Sequence, residues 1–258
     1  MSFRYANDLV IFGVDSRRDS NLRSLPKKYL SVLLVKRTKE PDKDKWCLPG
    51  GFVEEDETSK EATIRILKKE TNLESVYLQQ ISVNDDLDRD PRGRIISTTY
   101  MALIDRTLIN KNLSENAAWF DIEMEEENDK IIINLSNDTE KIHFSVKKQS
   151  IDILTNVNEY ILIDKKLAFD HDKIIASTLM ELHNKVENTD IIFHLMPSLF
   201  TIGELKQVYE LLLGKKLINS AFRRKISDKI KVTNKAIKTG GHRPSFLCKY
   251  NSNNYSNN

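Results

Sequence analysis

The sequence has little of what builds small extracellular or membrane proteins. Its only two cysteines, Cys47 and Cys248, stand far apart in 258 residues. They are too few for a disulfide framework or a zinc site. No apolar run approaches the roughly 20 residues that span a bilayer. The opening segment, Met1 to Asp8, has no signal-peptide core. No segment repeats. The expectation from these absences is an intracellular, cytoplasmic protein without a membrane partner. Hydrophobic residues make up 40% and charged residues 30% of the chain, as in ordinary globular proteins. The length suits one large or two smaller domains.

Acidic residues are also scarce in one region. From Pro197 onward there are three, against twelve Lys or Arg, a net of +9. Residues 1–196 carry 28 basic and 35 acidic residues, a net of −7, so the whole-chain value of +2 conceals an asymmetry. It suggests a basic module for an anionic polymer attached to an acidic domain. Nucleic acid is the first candidate and an anionic membrane surface the second.

The apolar, β-branched runs Asp8–Val14 and Tyr29–Val35 read as buried strands. Tyr77–Val83 and Arg94–Ile104 read as two more, with a charged loop and its turn signals Asp90-Pro91 and Arg92-Gly93 between them. A short strand begins at Ala118-Trp119-Phe120. The alternating runs 130–135 and 141–147 read as an exposed hairpin, an insertion or an edge near 130–148. Tyr160–Ile163 is a further short strand. From Asp170 to about Glu187, apolar residues recur at three and four, which predicts a helix bridging the acidic and basic parts. The Asn- and Ser-rich segment 251–258 is expected to be a disordered tail.

Between the second and third strands lies the stretch around which the chain is organised, Leu48-Pro49-Gly50-Gly51 followed by a helix from about Thr58 to Thr71. Gly and Pro break the strand, and the run after Thr58 favours helix. Asn72 can take the left-handed conformation that ends it. This segment resembles the Nudix box, the signature of a family of diphosphate hydrolases. Gly51, Glu57, Arg65, Leu67, Glu70 and Leu73 fall at the family's spacings. The resemblance places the metal-binding carboxylates at positions now occupied by Ile66, Lys69 and Glu70, which share one helix face. Mg²⁺ needs oxygen ligands, and here one position is apolar and one cationic. The scaffold is kept, the metal chemistry is lost, and Lys69 is free to pair with Glu70. No cofactor is expected. Mg²⁺, with Glu70 as a remaining ligand, belongs only to the alternative of a working hydrolase. Asp90-Pro91-Arg92-Gly93-Arg94 and Ala118-Trp119-Phe120 resemble the ADP-ribose-directed branch of the family. Arg37, Trp46, Gly51, Arg92 and Arg94 are the candidate ligand contacts, because the Arg fork suits phosphate and Trp can stack on a base.

The basic part opens at Pro197. Thr201 and Glu204 form a capping box for a helix running to about Leu213, where Gly214 stops it. Asn219 or Ser220 can cap a second helix, Ala221 to about Lys229, whose first turn presents Arg223, Arg224 and Lys225. This is the layout of a helix-turn-helix. Two short strands, 230–232 and 246–250, flank Gly240-Gly241-His242-Arg243 as a wing. Lys215, Lys216, Arg223, Arg224, Lys225, His242 and Arg243 are the candidate DNA contacts, since phosphate neutralisation dominates DNA affinity.

Taken with Asp170-His171, Phe200–Leu205, Tyr209–Gly214, Phe222–Ile226 and Gly240–Pro244, the chain resembles the Nudix-related transcriptional regulators, the NrtR group. The resemblance implies an α+β fold. A Nudix α/β/α sandwich with a mixed sheet (1–168) is followed by a linking helix (169–188) and a small winged-helix domain (189–250). It implies a regulator that senses a small metabolite, ADP-ribose/NAD-related or a sugar, and binds double-stranded operator DNA as a homodimer. The alternative is a Mg²⁺-dependent hydrolase of ADP-ribose or a related nucleoside diphosphate. An RNA-binding adaptor is a third reading, disfavoured because the module's aromatics sit at core-like spacings.

Overall fold

The computed structural model describes residues 4–18, 25–109, 113–149, 160–237 and 244–252. Its centre is strand β1 (Arg4–Arg17), paired antiparallel with β2 (Lys27–Lys36) on one side. On its other side β1 runs parallel to β6 (Ile95–Asp105), which pairs antiparallel with β5 (Tyr77–Asn84). Beyond β2 come β7 (Ala117–Glu127), β8 (Lys130–Ser136), β9 (Lys141–Lys148) and β10 (Tyr160–Leu162), all antiparallel. The short strands β3 (Trp46–Cys47) and β4 (Gly50–Phe52) attach to β2 and β1. The sheet is therefore mixed, with one parallel pair among the described strands.

Successive side chains of a strand point to opposite faces, and both faces of β1 are covered. Leu9 and Ile11 join Leu33, Tyr100 and Ala102 under helix α1 (Ser59–Thr71), which contributes Ile66 and Leu67. Val10 and Phe12 face the other way, into a core that continues through Ile174, Leu179 and Leu182 of helix α2 (His171–Asn188). That is why β1 reads as an unbroken apolar run rather than an alternating one. The helix ends follow their sequence signals. Thr58 and Glu61 form a capping box for α1, and Asn72 ends it at φ 58°.

The hairpin expected to be exposed is instead part of the sheet. Ile131, Ile133, Leu135, Phe144 and Val146 are buried in the core under α2. Its alternation marks a sheet with one covered face and one wet face, and sequence alone could not reveal the helix that covers it.

The same core runs on into a smaller unit. A 3-10 turn, Ile191–Leu195, leads to helix α3 (Ile202–Leu213), capped by Thr201 and Glu204 and closed by Gly214 at φ 61°. Helix α4 (Asn219–Ile226) follows, and then the antiparallel pair β11 (Ile230–Ile237) and β12 (Ser245–Tyr250). Helix α4 is shorter than expected because the chain turns at residues 227–229 into β11. Its N-cap is Ile218 with no side-chain cap bond, rather than Asn219 or Ser220. Phe222 and Ile226 bury its inner face, and the Phe222 ring meets Tyr209 edge-on at 5.3 Å. Cys248 of β12 exchanges backbone hydrogen bonds with Phe200 at 2.7 and 3.0 Å, tying the wing to the start of α3.

Candidate functional site

A cavity of about 190 Å³ opens where β1, the Leu48–Phe52 loop, the 89–92 loop and the start of α2 meet. Its floor is a buried charge network. The Arg89 guanidinium donates to both Asp170 oxygens at 2.8 and 2.9 Å and to Asp8 Oδ2 at 2.8 Å. Ser97 donates to the same Asp8 oxygen at 2.5 Å. The Leu48 N–H donates to His171 Nδ1 at 2.9 Å. That bond leaves the ring proton on Nε2, which faces Asp8 Oδ1 at 3.4 Å. Burial opposes ionisation of Asp8, but His171, Arg89 and Ser97 outweigh it and hold its carboxyl far below the usual range. Asp170 caps α2 without a side-chain bond to the helix, because its carboxylate is turned to Arg89.

The network fixes the Nudix-box entry loop from two sides. Leu48 is tied to His171, and Gly50 lies so close to β1 that a Cβ there would meet Asn7 O at 2.9 Å and Asp8 Oδ1 at 3.0 Å. Glycine is required at position 50 for this approach.

Above the floor stand Arg37, Arg92, Phe52 and Phe169. Both guanidiniums lie over Phe169, with Arg37 at 4.5 Å and Arg92 at 5.3 Å from its ring centre. Its backbone is left-handed at φ 55°, a conformation that costs a non-glycine residue about 1–2 kcal/mol. The Asp42 carboxylate holds it there by accepting the Phe169 N–H at 3.1 Å. Arg92 is oriented by Asp90 at 2.6 and 2.9 Å, and Arg37 by the carbonyls of Pro41 and Lys39 at 2.7 and 3.2 Å. Two guanidiniums held at the mouth of one cavity can grip phosphate. A wider groove of about 640 Å³ shares Arg37, Gly50, Phe52 and Arg92 with this cavity and extends to Lys69 and Glu70. Cys47 lines both, and burial pushes its thiol up to about 11.

Among the ligand candidates, Arg37, Gly51 and Arg92 line the cavity. Trp46 does not. Its indole N–H donates to Glu140 at 2.7 Å and its ring packs edge-on against Phe120. Arg94 binds the Asp85 carbonyl and also lies outside the lining. Sequence reasoning missed Arg89, Asp8, Phe52 and Phe169 as site residues. The Asp170-His171 and Asp90–Arg94 matches and Gly51 lay beside them in the chain, but Arg89 between two aspartates reads as a solvated loop charge.

The residues present do not fit a Nudix metal. Ile66 is buried against the side of Gly51. The Glu70 carboxylate is buried, pairs with Lys69 at 3.2 Å and accepts the Ser114 hydroxyl at 3.0 Å. Glu57 is held by Arg65 at 2.9 Å, and this hydrogen bond lowers its carboxyl to about 2. Asp8, Asp170 and His171 also converge closely enough for a cation, but the Arg89 guanidinium already bridges the two carboxylates.

On α4, Arg223 and Arg224 are exposed, and neither guanidinium has a carboxylate partner among the described residues. The lysines are engaged. Lys215 pairs with Glu187 at 2.5 Å and Lys216 with Glu210 at 3.2 Å. Lys225 reaches the Glu187 carbonyl at 3.3 Å and lies over Tyr209. His242 and Arg243 lie outside the described residues.

A Nudix sandwich with an altered box, joined through one helix to a basic winged helix, defines a two-domain class that couples a small-molecule cavity to a nucleic-acid surface. Residues 23–135 match the NUDIX domain family and residues 192–250 the NrtR DNA-binding winged helix domain. The ADPR responsive transcriptional repressor NtrR of Acinetobacter baylyi is 30% identical over 94% of this chain and 80% of its own. The chain belongs to the NrtR family. Shewanella oneidensis NrtR, solved with a 27mer DNA, shares the fold with a TM-score of 0.69 and 24% identity over 96% of this chain and 93% of its own. A MutT/nudix family protein from Enterococcus faecalis shares it with a TM-score of 0.70 and 21% identity, over 97% and 87%. No described helix is long and apolar enough to cross a membrane.

Proposed function

We propose that this chain is a DNA-binding transcriptional repressor whose Nudix-like domain senses ADP-ribose or a close nucleotide relative. One combination carries the reading. The box helix places Lys69 and buried Ile66 where metal ligands would stand, while α4 of the same chain presents two arginines without carboxylate partners. The first feature speaks against hydrolysis and the second for DNA. The effector is taken from the Acinetobacter relative. The cavity suits it, because Arg37 and Arg92 line it beside Phe169 and offer phosphate forks. One of Arg223 and Arg224 reads a guanine edge and the other holds phosphate, since neighbouring helical residues point about 100° apart. The protein works as a homodimer on a palindromic operator in the cytoplasm, each winged helix taking one half-site.

The test is fluorescence anisotropy on the operator duplex with increasing ADP-ribose, beside sedimentation of the free protein. Release of the duplex by ADP-ribose, and a dimer at micromolar concentration, are the expected results. Robust Mg²⁺-dependent cleavage of ADP-ribose by the unmodified chain would overturn the assignment in favour of a hydrolase.

A further inference from the structure

A second cavity, of about 370 Å³, lies where the sheet domain meets the winged helix. Lys27 and Lys28 enter it from the start of β2, Gln207 and Glu210 from α3, and Lys215 and Lys216 from the turn after α3. Gly214, at φ 61°, reverses the chain so that the last two lysines face back toward the first two. Four lysines thus line this cavity, and the one acidic residue in its lining is Glu210. From these residues we infer an anion site for a small phosphorylated ligand, held between Lys27 and Lys28 of one domain and Lys215 and Lys216 of the other.

Three observations support it. The Lys28 side chain is only 8% exposed, and the one acceptor for its ammonium among the described residues is Glu204 at 3.4 Å. The second oxygen of that same Glu204 is committed to capping α3, taking the Thr201 N–H at 2.9 Å. A buried cation with so loose a partner favours an added anion. Lys27 is exposed and has no carboxylate partner among the described residues, its ammonium lying 5.0 Å from the centre of the Tyr29 ring. Gln207, which also lines the cavity, has a side-chain oxygen that is buried without a hydrogen-bond partner among the described residues. The pairs Lys215–Glu187 and Lys216–Glu210 do not close the site, because both lysines are largely exposed and such pairs are weak. Lysine ammoniums bind phosphate as point charges. A ligand with two or more phosphates spans both domains and locks their relative placement.

The test is isothermal titration of the full chain, without DNA, with inorganic pyrophosphate. Saturable binding is expected, including one site per chain that is weakened at least tenfold by Lys27→Gln and retained by Lys27→Arg. It should persist in Arg92→Ala, which separates it from the first cavity. Absence of saturable binding, indifference to Lys27→Gln, or loss in Arg92→Ala overturns the site. A second arm tests the DNA backbone as the phosphate source. Lys27→Gln should leave the salt dependence of duplex binding unchanged. A salt slope reduced by about one assigns the cluster to DNA phosphate and overturns the free-ligand site, whatever pyrophosphate does.

Discussion

Arg89 and Arg223 carry the same guanidinium in opposite surroundings. Arg89 is 4% exposed and holds two carboxylates in fixed geometry, at the foot of a cavity and the start of α2. Arg223 stands on the open face of α4 without a carboxylate partner among the described residues. Burying a charge is unfavourable unless it is paired, so Arg89 is tolerated only as part of its network. An exposed charge faces no such demand and remains available to an external anion. Arg89 is satisfied from within, and Arg223 is left without a carboxylate partner among the described residues. Arg37 and Arg92 fall between the two, being oriented by protein acceptors while their faces lie open to the cavity.

The sharpest way to break this contrast is to remove each partner in turn. Arg89→Met strands Asp8 and Asp170 together and should cost about 3–5 kcal/mol of folding stability, as losses of one partner of a buried pair do. Urea unfolding measures it. A cost under about 1 kcal/mol would show that the network is hydrated and that the contrast with α4 is false.

Arg223→Ala and Arg224→Ala should do the reverse. Each should leave stability within about 0.5 kcal/mol, as surface substitutions do. The one that reads a base should lower operator affinity by about 1–3 kcal/mol and relax preference at one position. The other should weaken all duplexes alike and reduce the salt slope by about one. Unchanged affinity and slope in both would remove α4 as the reading helix.

Acid sharpens the comparison further, with a smaller effect near neutrality. The Asp8 carboxyl is held far below its ordinary value of 3.8 by His171, Arg89 and Ser97, against the cost of burial. Asp90 is lowered too, by its hydrogen bonds and ion pair with Arg92 acting against burial. A depressed carboxylate contributes stability that is fully present above its unfolded pKa and lost as pH falls toward the folded one. Stability should therefore fall steeply below about pH 4. Asp172 opposes this, because burial raises its carboxyl despite the backbone N–H groups of Lys166 and Leu167. Arg89→Met should flatten the acid limb and Arg223→Ala should not.

The sequence carried more of the fold than of the site, for physical reasons visible in particular residues. The capping box at Thr201, Asn72 and Gly214 are local signals, and each marks its helix end in the structure. The box register placed α1 against the entry loop. By contrast, Arg89 lies 81 residues from each of its carboxylate partners, and no local pattern announces such a meeting. Trp46 was a plausible stacking residue until the 130–148 hairpin brought Glu140 to its indole N–H. Phe169 carried no signal, since its role depends on a left-handed backbone that only the fold imposes. Of the basic candidates, sequence counted Lys215 and Lys216 with the arginines. The structure separates them by what each already touches.

The smallest effect expected is at Lys69, and it tests whether its pair with Glu70 stabilises the fold or only occupies a former metal position. Glu70 is buried at 5% exposure, while Lys69 is 76% exposed. The ammonium is thus strongly solvated and its attraction is screened. Glu70 keeps a second partner, the Ser114 hydroxyl at 3.0 Å. Lys69→Met should then change stability by no more than about 0.5 kcal/mol, and Mg²⁺ should not raise the unfolding temperature. Removing the ammonium frees one carboxylate oxygen but supplies no second ligand, because Ile66 remains apolar and buried. Ile66→Glu with Lys69→Glu restores the acidic face, at the cost of placing a carboxylate beside Leu67 and Gly51 in the core under α1. A Mg²⁺-dependent gain in unfolding temperature in that double variant, absent from Lys69→Met, locates the lost metal site at these two positions. The same gain in Lys69→Met alone would mean that the ammonium was the only barrier and that the apolar Ile66 is no obstacle to the metal.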